Sequence, residues 1–356
     1  MATRTRFAII GTGFRARAFL RLSAALPESL EAVAVLSRHP AAARHDPELA
    51  GLVVHDLDAL LAREPAFVLT AVAAQHNVET AAALLERGAP VLAETPASPD
   101  IAGLHRLWRL PGAARIQVAE QYPRHPMTAA RLAAIRAGRI GTPTSAVVSI
   151  AQTYHAIAVL RAALDAGFGE AEVCAHVQHA PLVAPRTRAG WTHDDAEHDT
   201  ASVLATLDFG GAVGVYDFTD GQTRNPLRSS RFLARGSRGE IADDRVTTLV
   251  DATTVVESTL VRRVTGADRD FEAPDLEHIA LDGEVVVRNA ASGARLSDDE
   301  IAMAELLTAM GRFATDAGPA PYPLAEAAQD QLLGLAVESA AATGEPVRVD
   351  RAPWAS

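Results

Sequence analysis

The most constraining feature of this sequence is a short apolar run that ends in closely spaced glycines. Arg6–Ile10 has the composition of a buried strand, and Gly11-Thr12-Gly13-Phe14-Arg15-Ala16 follows it directly. The next segment, Arg15–Leu26, has the periodicity of a helix. In such a turn the first glycine permits the tight bend, the second lets a pyrophosphate approach the backbone, and the alanine allows close packing. The pattern predicts a dinucleotide-binding βα unit; the alternative is an ordinary βα turn.

Short apolar runs and helical patterns then alternate as far as Ala119. Strand–helix alternation of this kind predicts a parallel sheet with right-handed crossovers, and strands buried on both faces read as continuous apolar runs. We therefore assign residues 1–122 to a doubly wound Rossmann domain. Its predicted strands are Arg6–Ile10, Ala32–Leu36, Val53–Val54, Phe67–Val72, Pro90–Ala93 and Ile116–Ala119.

The pattern changes in residues 123–356, where strand-like runs follow one another without intervening helices. This predicts an α/β domain with a large, mostly antiparallel open sheet. Two helices, Asp298–Ala314 and Leu324–Thr343, close the chain, and the last is a candidate to pack back on the first domain. The predicted strands are Ser145–Ile150, Ser202–Phe209, Ala212–Phe218, Arg231–Ala234, Thr247–Leu249, Thr254–Thr259 and Val285–Val287.

Charge and composition exclude several classes of protein. The chain carries 44 acidic and 33 basic side chains, a net charge of −11, whereas non-specific nucleic-acid binding needs clustered positive charge. A single cysteine, Cys174, excludes an intramolecular disulfide. No stretch reaches the roughly 18–20 apolar residues of a membrane span. We expect a cytoplasmic protein with neither nucleic-acid nor membrane partners.

The end of the second strand bears on the choice of cofactor. Dinucleotide sites that bind NAD usually carry an acidic residue here, but this chain has Ser37-Arg38-His39 after Leu36. Ser37 and Arg38 can instead donate hydrogen bonds to a ribose 2′-phosphate. The sequence favours NADP(H), with NAD(H) as the alternative, since Arg38 can also stack on adenine or extend into solvent.

Several segments, in order along the chain, resemble the oxidoreductase family that includes glucose–fructose oxidoreductase and inositol dehydrogenase. The resemblance implies a Rossmann domain followed by an α/β domain with an open sheet, and sugars, cyclitols or related polyols as substrates. The matching segments are Ala8–Phe14, Val72–His76, Gly88–Pro96, Gly138–Gly141, Tyr322–Ala327 and Thr343–Val347.

The departures from that family concern the reaction. The family's Glu-Lys-Pro is Glu94-Thr95-Pro96 here, so the cationic donor is missing. The family also places an aspartate four residues before a helix-opening histidine; His155 is that histidine, but position 151 is alanine. His155 is therefore the leading acid/base, because imidazole is suited to proton transfer near neutral pH. Tyr122 and Thr95 are the other catalytic candidates.

The remaining candidates divide by role. We expect the cofactor to be held by the glycine turn and by residues at the carboxyl edge of the sheet, where His76 has helix capping with Asn77 as its alternative role. The predicted cofactor-binding residues are Gly11, Thr12, Gly13, Phe14, Arg15, Ser37, Arg38, Val72, Ala73, His76, Glu94, Thr95 and Gln121. The predicted substrate-binding residues are Tyr154, His193, Asp195 and Gln222.

The loop Trp191–Asp199 is rich in histidine and carboxylate side chains. Its spacing matches no metal motif, so we predict a polar loop and no metal. The protein is expected to be a homo-oligomer, a dimer or tetramer, formed through the second sheet. Three functions remain open: an NAD(P)-dependent oxidoreductase of sugar derivatives, a non-catalytic dinucleotide-binding sensor or scaffold, and an enzyme that uses a retained cofactor for transient oxidation with elimination or hydrolysis.

Overall fold

The computed structural model describes residues 4–266 and 273–355. Its α-helices are α1 Phe14–Ala25, α2 Pro40–Arg44, α3 Leu57–Leu61, α4 Asn77–Leu85, α5 Ile101–Trp108, α6 Pro126–Arg136, α7 Thr153–Leu164, α8 Asp298–Ala314 and α9 Leu324–Thr343. The strands that precede α7 are β1 Thr5–Ile10, β2 Leu30–Leu36, β3 Val53–Val54, β4 Phe67–Thr70, β5 Val91–Ala93, β6 Ile116–Val118 and β7 Pro143–Ser149.

The strands that follow α7 are longer on average and lie mostly next to one another in sequence. They are β8 Ala171–Val183, β9 Arg186–Thr187, β10 Gly190–Trp191, β11 Glu197–Asp208, β12 Val213–Thr219, β13 Arg231–Gly236, β14 Gly239–Ala242, β15 Arg245–Leu249, β16 Val255–Thr259, β17 Val261–Val264, β18 Leu276–Leu281, β19 Glu284–Arg288 and β20 Val347–Val349.

The chain forms two compact units that are not contiguous in sequence. The first comprises Met1–Pro126, Val264–Glu277 and Asn289–Ala328, and the second comprises Met127–Arg263, His278–Arg288 and Gln329–Ser356. Whereas the sequence analysis assigned all of 123–356 to one domain, α8 belongs to the first unit. Only the first five residues of α9, 324–328, belong to that unit, and the rest of this helix belongs to the second.

The first unit is built on a six-stranded parallel sheet in the order β3-β2-β1-β4-β5-β6. This is the strand order of a Rossmann domain, so the predicted doubly wound sheet is confirmed. The central strands are buried on both faces, with Phe7 and Phe67 stacked at a ring distance of 5.8 Å. Helices α1 and α8 cover the sheet through fully buried side chains, among them Phe19, Leu22, Met303 and Leu307.

Helix α8 begins at a capping box that the sequence supplies locally. The Ser297 hydroxyl accepts a hydrogen bond from the Glu300 amide, and the Glu300 carboxylate accepts one from the Ser297 amide at 2.9 Å. Two of the otherwise unpaired amides at the start of the helix are thereby satisfied. The cap fixes where α8 starts and hence the position of its second residue, Asp299.

The second unit contains a nine-stranded sheet in the order β16-β15-β14-β13-β7-β12-β11-β8-β20. Only the β12–β7 pair is parallel among these ladders, so the predicted large, mostly antiparallel sheet is confirmed. Along β8, buried Val173 alternates with exposed Cys174. One face of the sheet is buried, with α7 packed on β7 and β12, and side chains of the opposite face are half-buried or exposed.

A buried ion pair joins α7 to α9 in this unit. The Arg161 guanidinium donates to the Asp330 carboxylate at 2.7 Å, and both side chains are 4% exposed. Arg161 also donates to the Gly167 carbonyl and lies over the Phe168 ring. Further along α9, Gly334 lacks the side chain that would press on Thr153, which allows close contact with the first turn of α7. The start of α7 is thereby held in place.

Two differences from the sequence analysis concern this unit. The thirteen-residue strand β8 was not predicted, and it pairs with β11 along the whole of the latter. The segment between β8 and β11 contains a small hairpin, β9–β10, and β11 begins at Glu197, within the predicted loop Trp191–Asp199, rather than at Ser202. None of the helices within 4–266 and 273–355 combines the length and apolar composition that crossing a membrane requires.

Candidate functional site

The glycine turn after β1 is fixed by the ends of two neighbouring strands. Gly11 has φ +117°, a conformation that side chains rarely adopt, and a Cβ atom there would collide with the Ala71 carbonyl oxygen. Its amide donates to the Leu36 carbonyl at 2.9 Å. Gly11 therefore serves the close approach of β1, β2 and β4 at the carboxyl edge of the sheet.

Gly13 serves a different purpose. A Cβ atom built on it meets no protein atom within 4 Å, and its backbone, at φ −73°, is one that any residue adopts. Helix α1 starts at Phe14, and no side chain caps its amides. The turn therefore leaves open space in front of a helix N-terminus, where amide donors and the helix dipole favour an anion. These residues fit the pyrophosphate of a dinucleotide.

Arg15, in the first turn of α1, ties the glycine turn to three other segments. Its Nε donates to Glu94 at 2.8 Å, its Nη2 donates to the Gln121 amide oxygen at 3.3 Å, and its Nη1 lies 3.7 Å from Asp299 on α8. Burial alone would lower the pKa of Arg15, but the charge and hydrogen bond of Glu94 and the charges of Asp299 and Glu120 raise it. The guanidinium is therefore a fixed cation.

The Glu94-Thr95-Pro96 segment is held from both sides. Glu94 is 7% exposed and accepts from Arg15 and, through Oε2, from the Thr95 amide at 3.2 Å. Behind it, the fully buried Asn77 amide donates to the carbonyls of Glu94 and Pro96, and its oxygen accepts from Thr70. The Thr95–Pro96 peptide is cis. Asn77 thus anchors the segment to β4 rather than capping α4 with its side chain.

Asp299 lies at the edge of this group, within hydrogen-bonding distance of two side chains and near the charge of Arg15. His125 lies 3.2 Å from its Oδ1 and Gln121 donates to the same atom at 3.2 Å. Burial would raise the pKa of Asp299, but the hydrogen bond from His125 and the charge of Arg15 outweigh it and lower the pKa. Tyr122 stacks on His125 at a ring distance of 4.6 Å. The Gln121 side chain bridges Arg15 and Asp299, and its contact with the cofactor stays a prediction.

The other predicted cofactor residues lie at the carboxyl ends of β2 and β4. Ser37 is buried and its hydroxyl accepts from the His39 amide at 3.1 Å, whereas Arg38 is exposed and forms no ion pair with any carboxylate in the described residues. Val72 and Ala73 follow β4, and His76 ends a short 3₁₀ turn with an exposed side chain. The structure gathers the glycine turn, Arg15, Glu94 and Gln121 around one ion-pair network.

The second unit carries the histidine candidate. His155 is the third residue of α7, is 9% exposed, and its ring lies 4.4 Å from that of Tyr154. Gln152, Thr153 and Tyr154 line a cavity of about 680 Å³. Most of the lining from β8, β11 and α9 is apolar. Its polar lining includes Tyr216, Asp220 and Glu338.

The backbone leading into His155 is strained. Thr153 has φ +26°, unusual for a β-branched residue, and its amide donates to the Tyr216 hydroxyl at 3.1 Å. Burial raises the pKa of Tyr216, opposed by the hydrogen bond from Thr153 and reinforced by the charges of Asp220 and Glu338. Strained residues of this kind cluster at functional sites, because surrounding contacts must hold them.

Three predicted substrate residues are not gathered with this cavity. Gln222 is buried: its Nε2 donates to the Ser149 carbonyl and hydroxyl, each at 2.9 Å, and its oxygen accepts from the Thr219 amide. Because its amide nitrogen and oxygen both form hydrogen bonds within the unit, Gln222 anchors a turn, and substrate binding by this residue stays a prediction. His193 and Asp195 are exposed in the segment between β10 and β11.

Metal ligands do not converge in the part of the chain that the structure describes, where no three His, Cys, Asp or Glu side chains form a group able to hold a metal ion. Sequence reasoning missed Asn77 and Asp299. Asn77 carried a signal, since it follows His76 at the start of a helix, but Asp299 had none, because its partner Gln121 lies 178 residues away.

Comparison with known proteins agrees with this geometry. Residues 5–121 match the family described as "Oxidoreductase family, NAD-binding Rossmann fold". The match covers the strands and turns of the first unit that carry the glycine turn, Glu94 and Gln121. No protein of curated function matches the chain in sequence.

Solved structures share the fold over nearly the whole chain. An oxidoreductase from Agrobacterium radiobacter, in complex with NAD+, L-tartaric acid and magnesium, has 16% identity and a TM-score of 0.67, covering 97% of this chain and 98% of its own. A levoglucosan dehydrogenase with NADH and levoglucosan has 18% identity and a TM-score of 0.67, covering 98% and 100%. A myo-inositol dehydrogenase from Corynebacterium glutamicum has 19% identity and a TM-score of 0.65, covering 98% and 100%.

The different roles of the glycines give a direct test. We expect Gly13→Val to abolish dinucleotide binding while leaving the melting temperature unchanged, because the new side chain fills only the space in front of α1. Isothermal titration with NAD+ and NADP+ measures the affinity, and differential scanning calorimetry measures the melting temperature. Gly51→Val is the matched control, since a Cβ at Gly51 also meets nothing within 4 Å. Native-like affinity in Gly13→Val would contradict the assignment.

Proposed function

We propose that this chain, a member through residues 5–121 of the oxidoreductase family with an NAD-binding Rossmann fold, is a dehydrogenase or reductase of a sugar, cyclitol or related small molecule. It would transfer hydride between a nicotinamide dinucleotide and a hydroxyl or carbonyl group. The observation that carries the proposal is the glycine turn with open space in front of Gly13, linked by Arg15 to Glu94. Similarity in fold to levoglucosan and inositol dehydrogenases supports the substrate class.

In this proposal the protein residues divide the work of binding and proton transfer. The nicotinamide supplies or accepts the hydride. The amides at the start of α1 bind the pyrophosphate, with Val72, Ala73 and His76 lining the same edge of the sheet. His155 accepts the proton that leaves the substrate hydroxyl, or donates it in the reverse direction. Tyr154 contacts the substrate beside His155, and Thr95 contributes a hydrogen bond where relatives in the family carry lysine.

We expect His155→Ala to lower kcat by about 10²–10⁴-fold while the affinity for the cofactor is unchanged, since it removes a proton acceptor and no cofactor contact. Thr95→Ala should lower kcat much less, because it raises the activation free energy by about 0.5–1.5 kcal/mol, the value of a single hydrogen bond. Steady-state turnover with a panel of polyols and sugars, followed by the near-ultraviolet absorbance of reduced nicotinamide, measures both. His45→Ala, which changes an exposed histidine at the end of α2, is the control.

The same panel separates the alternatives. Cofactor binding without turnover of any sugar or polyol would favour the sensor or scaffold. Turnover without added nucleotide, by protein that retains its cofactor through purification, would favour transient oxidation with elimination or hydrolysis. A His155→Ala variant with native kcat would remove the assignment of His155 and make Tyr122, His76 or the loop around His193 the candidates.

NADP(H) is the proposed cofactor, with NAD(H) as the second candidate. Arg38 is exposed beyond β2, has no carboxylate partner among the described residues, and is preceded by the Ser37 hydroxyl. We expect Arg38→Ala to weaken NADP(H) binding by about ten- to a hundredfold, because a charge-assisted hydrogen bond is lost, and to leave NAD(H) binding nearly unchanged. Both cofactors are titrated into the native protein, Arg38→Ala and the control Arg44→Ala to measure their affinities. If the native protein binds NAD(H) more tightly than NADP(H), the proposed preference is overturned.

We further propose that a second copy of the chain covers the open face of the nine-stranded sheet, giving a dimer or tetramer. On this face Val215, Val147 and Leu233 lie opposite one another across three strands, and Leu204 nearby is 52% exposed. The charged pair Arg231–Asp217, at 3.9 Å, flanks them. A patch that is apolar at its centre and carries both charges at its rim is complementary to its own copy.

The oligomer is tested at Leu204. We expect Leu204→Glu to weaken subunit association by at least about tenfold, because a carboxylate would be desolvated in an apolar contact. Sedimentation velocity over a range of protein concentrations measures the change. Val261→Glu is the control, since Val261 is comparably exposed, at 58%, and lies on β17, outside this sheet. A native protein that stays monomeric at every concentration contradicts the proposal.

A further inference from the structure

A separate cavity of the second unit is lined by arginines. It has a volume of about 410 Å³ and lies where β8 ends and β11 begins. Three arginine side chains line it, together with the polar groups of Thr200, Asp220 and Asn225. We call it the arginine pocket, after Arg186, Arg188 and Arg224. In a chain with a net charge of −11, a cavity with three guanidinium groups and one carboxylate is a local reversal of charge.

Two of the arginines come from the small hairpin β9–β10. Arg186 lies on β9, and its guanidinium packs over the Trp191 ring of β10 at 5.9 Å. Arg188 lies at the turn of the hairpin. Stacking on an aromatic face leaves the in-plane N–H groups of a guanidinium available as donors. The hairpin therefore presents donors in a defined orientation.

The third arginine stands on a turn that buried amides hold in place. Gln222 and Asn225 flank Arg224 and are 6% and 5% exposed. Gln222 is bound to Ser149 and Thr219, and the Asn225 amide donates to the Val183 carbonyl at 2.8 Å. Arg224 itself is exposed. The backbone that carries Arg224 is therefore fixed on both sides. Binding of a ligand then loses little conformational entropy, because the turn is already ordered.

Two of the three arginines of the pocket keep their charge unpaired among the described residues. Neither Arg186 nor Arg224 forms an ion pair with a carboxylate in residues 4–266 or 273–355, although the same sheet carries exposed pairs such as Arg235–Glu240. The carboxylate of Asp220 is the one acidic group of the lining. Planar guanidinium groups match the geometry of phosphate and carboxylate oxygens, so the chemistry of the pocket selects an anion.

The pocket adjoins the cavity beside His155. Asp220 and Gly221 line both cavities, and the larger one is also lined by Gln152, Thr153 and Tyr154, which directly precede His155. A ligand with an anionic group in the arginine pocket can therefore place its remaining atoms in the neighbouring cavity. Both cavities lie wholly within the second unit.

We propose that the arginine pocket binds the phosphate or carboxylate group of a small molecule, and that this molecule is the substrate, a sugar or cyclitol bearing one anionic group. The anion site rests on the pocket itself, whereas its identification with the substrate rests on the proposed function. Phosphate esters and carboxylates share the chemistry that guanidinium groups recognise, and the test separates them.

The test uses isothermal titration of the native protein with glucose 6-phosphate, glucuronate and glucose, without dinucleotide. We expect at least one of the two anions to bind more tightly than glucose, and its binding to weaken as sodium chloride is raised, because the pairing is exposed to solvent. Arg224→Gln and Arg186→Ala should each lower that affinity by about tenfold. Arg228→Ala, which changes a half-buried arginine on the same segment outside the pocket, should leave it unchanged.

Three results overturn the anion site: binding of neither anion at millimolar concentration, equal affinity for glucose and both anions, or native affinity in both Arg224→Gln and Arg186→Ala. The larger of the two anion affinities identifies phosphate or carboxylate as the group recognised. Turnover is measured separately with the cofactor present. Anion binding without hydride transfer would support the anion site and contradict the proposed function. Turnover of neutral polyols without anion binding would support the proposed function and contradict the anion site.

Discussion

The candidate site depends on the ion pair between Arg15 and Glu94. The Glu94 side chain is 9% exposed. Removing its partner would leave a buried, unpaired carboxylate, which lowers the free energy of unfolding by about 3–5 kcal/mol. The pair therefore constrains the backbone on both sides. Arg15 lies in the first turn of α1, directly after the glycine turn, and Glu94 directly after β5. Gln121 and Asp299 add contacts from the end of β6 and from α8, so the glycine turn cannot shift without disturbing three other segments.

Much of the first unit could be predicted because its strands are buried on both faces. A continuous apolar run such as that of β1, followed by glycines, leaves few alternatives to a parallel strand and a turn. The second unit was harder, because β8 alternates polar and apolar side chains and contains His176, Gln178 and Pro181, which obscure the pattern. The pairing of β8 with β11 is determined by the tertiary structure, and the tendency of a segment to form a strand depends strongly on such pairing. Helix α7 begins two residues earlier than predicted, at Thr153, whose positive φ is held by tertiary contacts.

The site divides in the same way. Gly11 and Gly13 could be chosen from sequence because their pattern is local to a turn, and Glu94 because it matches the family that the sequence resembles. Asn77 and Asp299 could not, since their roles arise from partners on other segments. Gln222 shows what the sequence alone does not reveal: a polar side chain near the end of a strand suggested a ligand contact, and in the structure its amide anchors the turn through Ser149 and Thr219. A polar side chain indicates a site only after the needs of the backbone are met.

The substitutions at positions 95 and 151 and the arginine pocket have a common consequence. In the proposed function, Thr95 and Ala151 stand where the family that the sequence resembles carries a cation and an anion, so His155 would act with less charged assistance. An anionic group held at Arg186 and Arg224 would supply binding energy away from the reacting carbon, and such energy can orient a substrate whose reaction centre is weakly bound. The strained entry to α7 and the anchored turn at Arg224 both lie beside the shared residues Asp220 and Gly221. In this arrangement, affinity and proton transfer are assigned to neighbouring parts of one unit rather than to a single charged cluster.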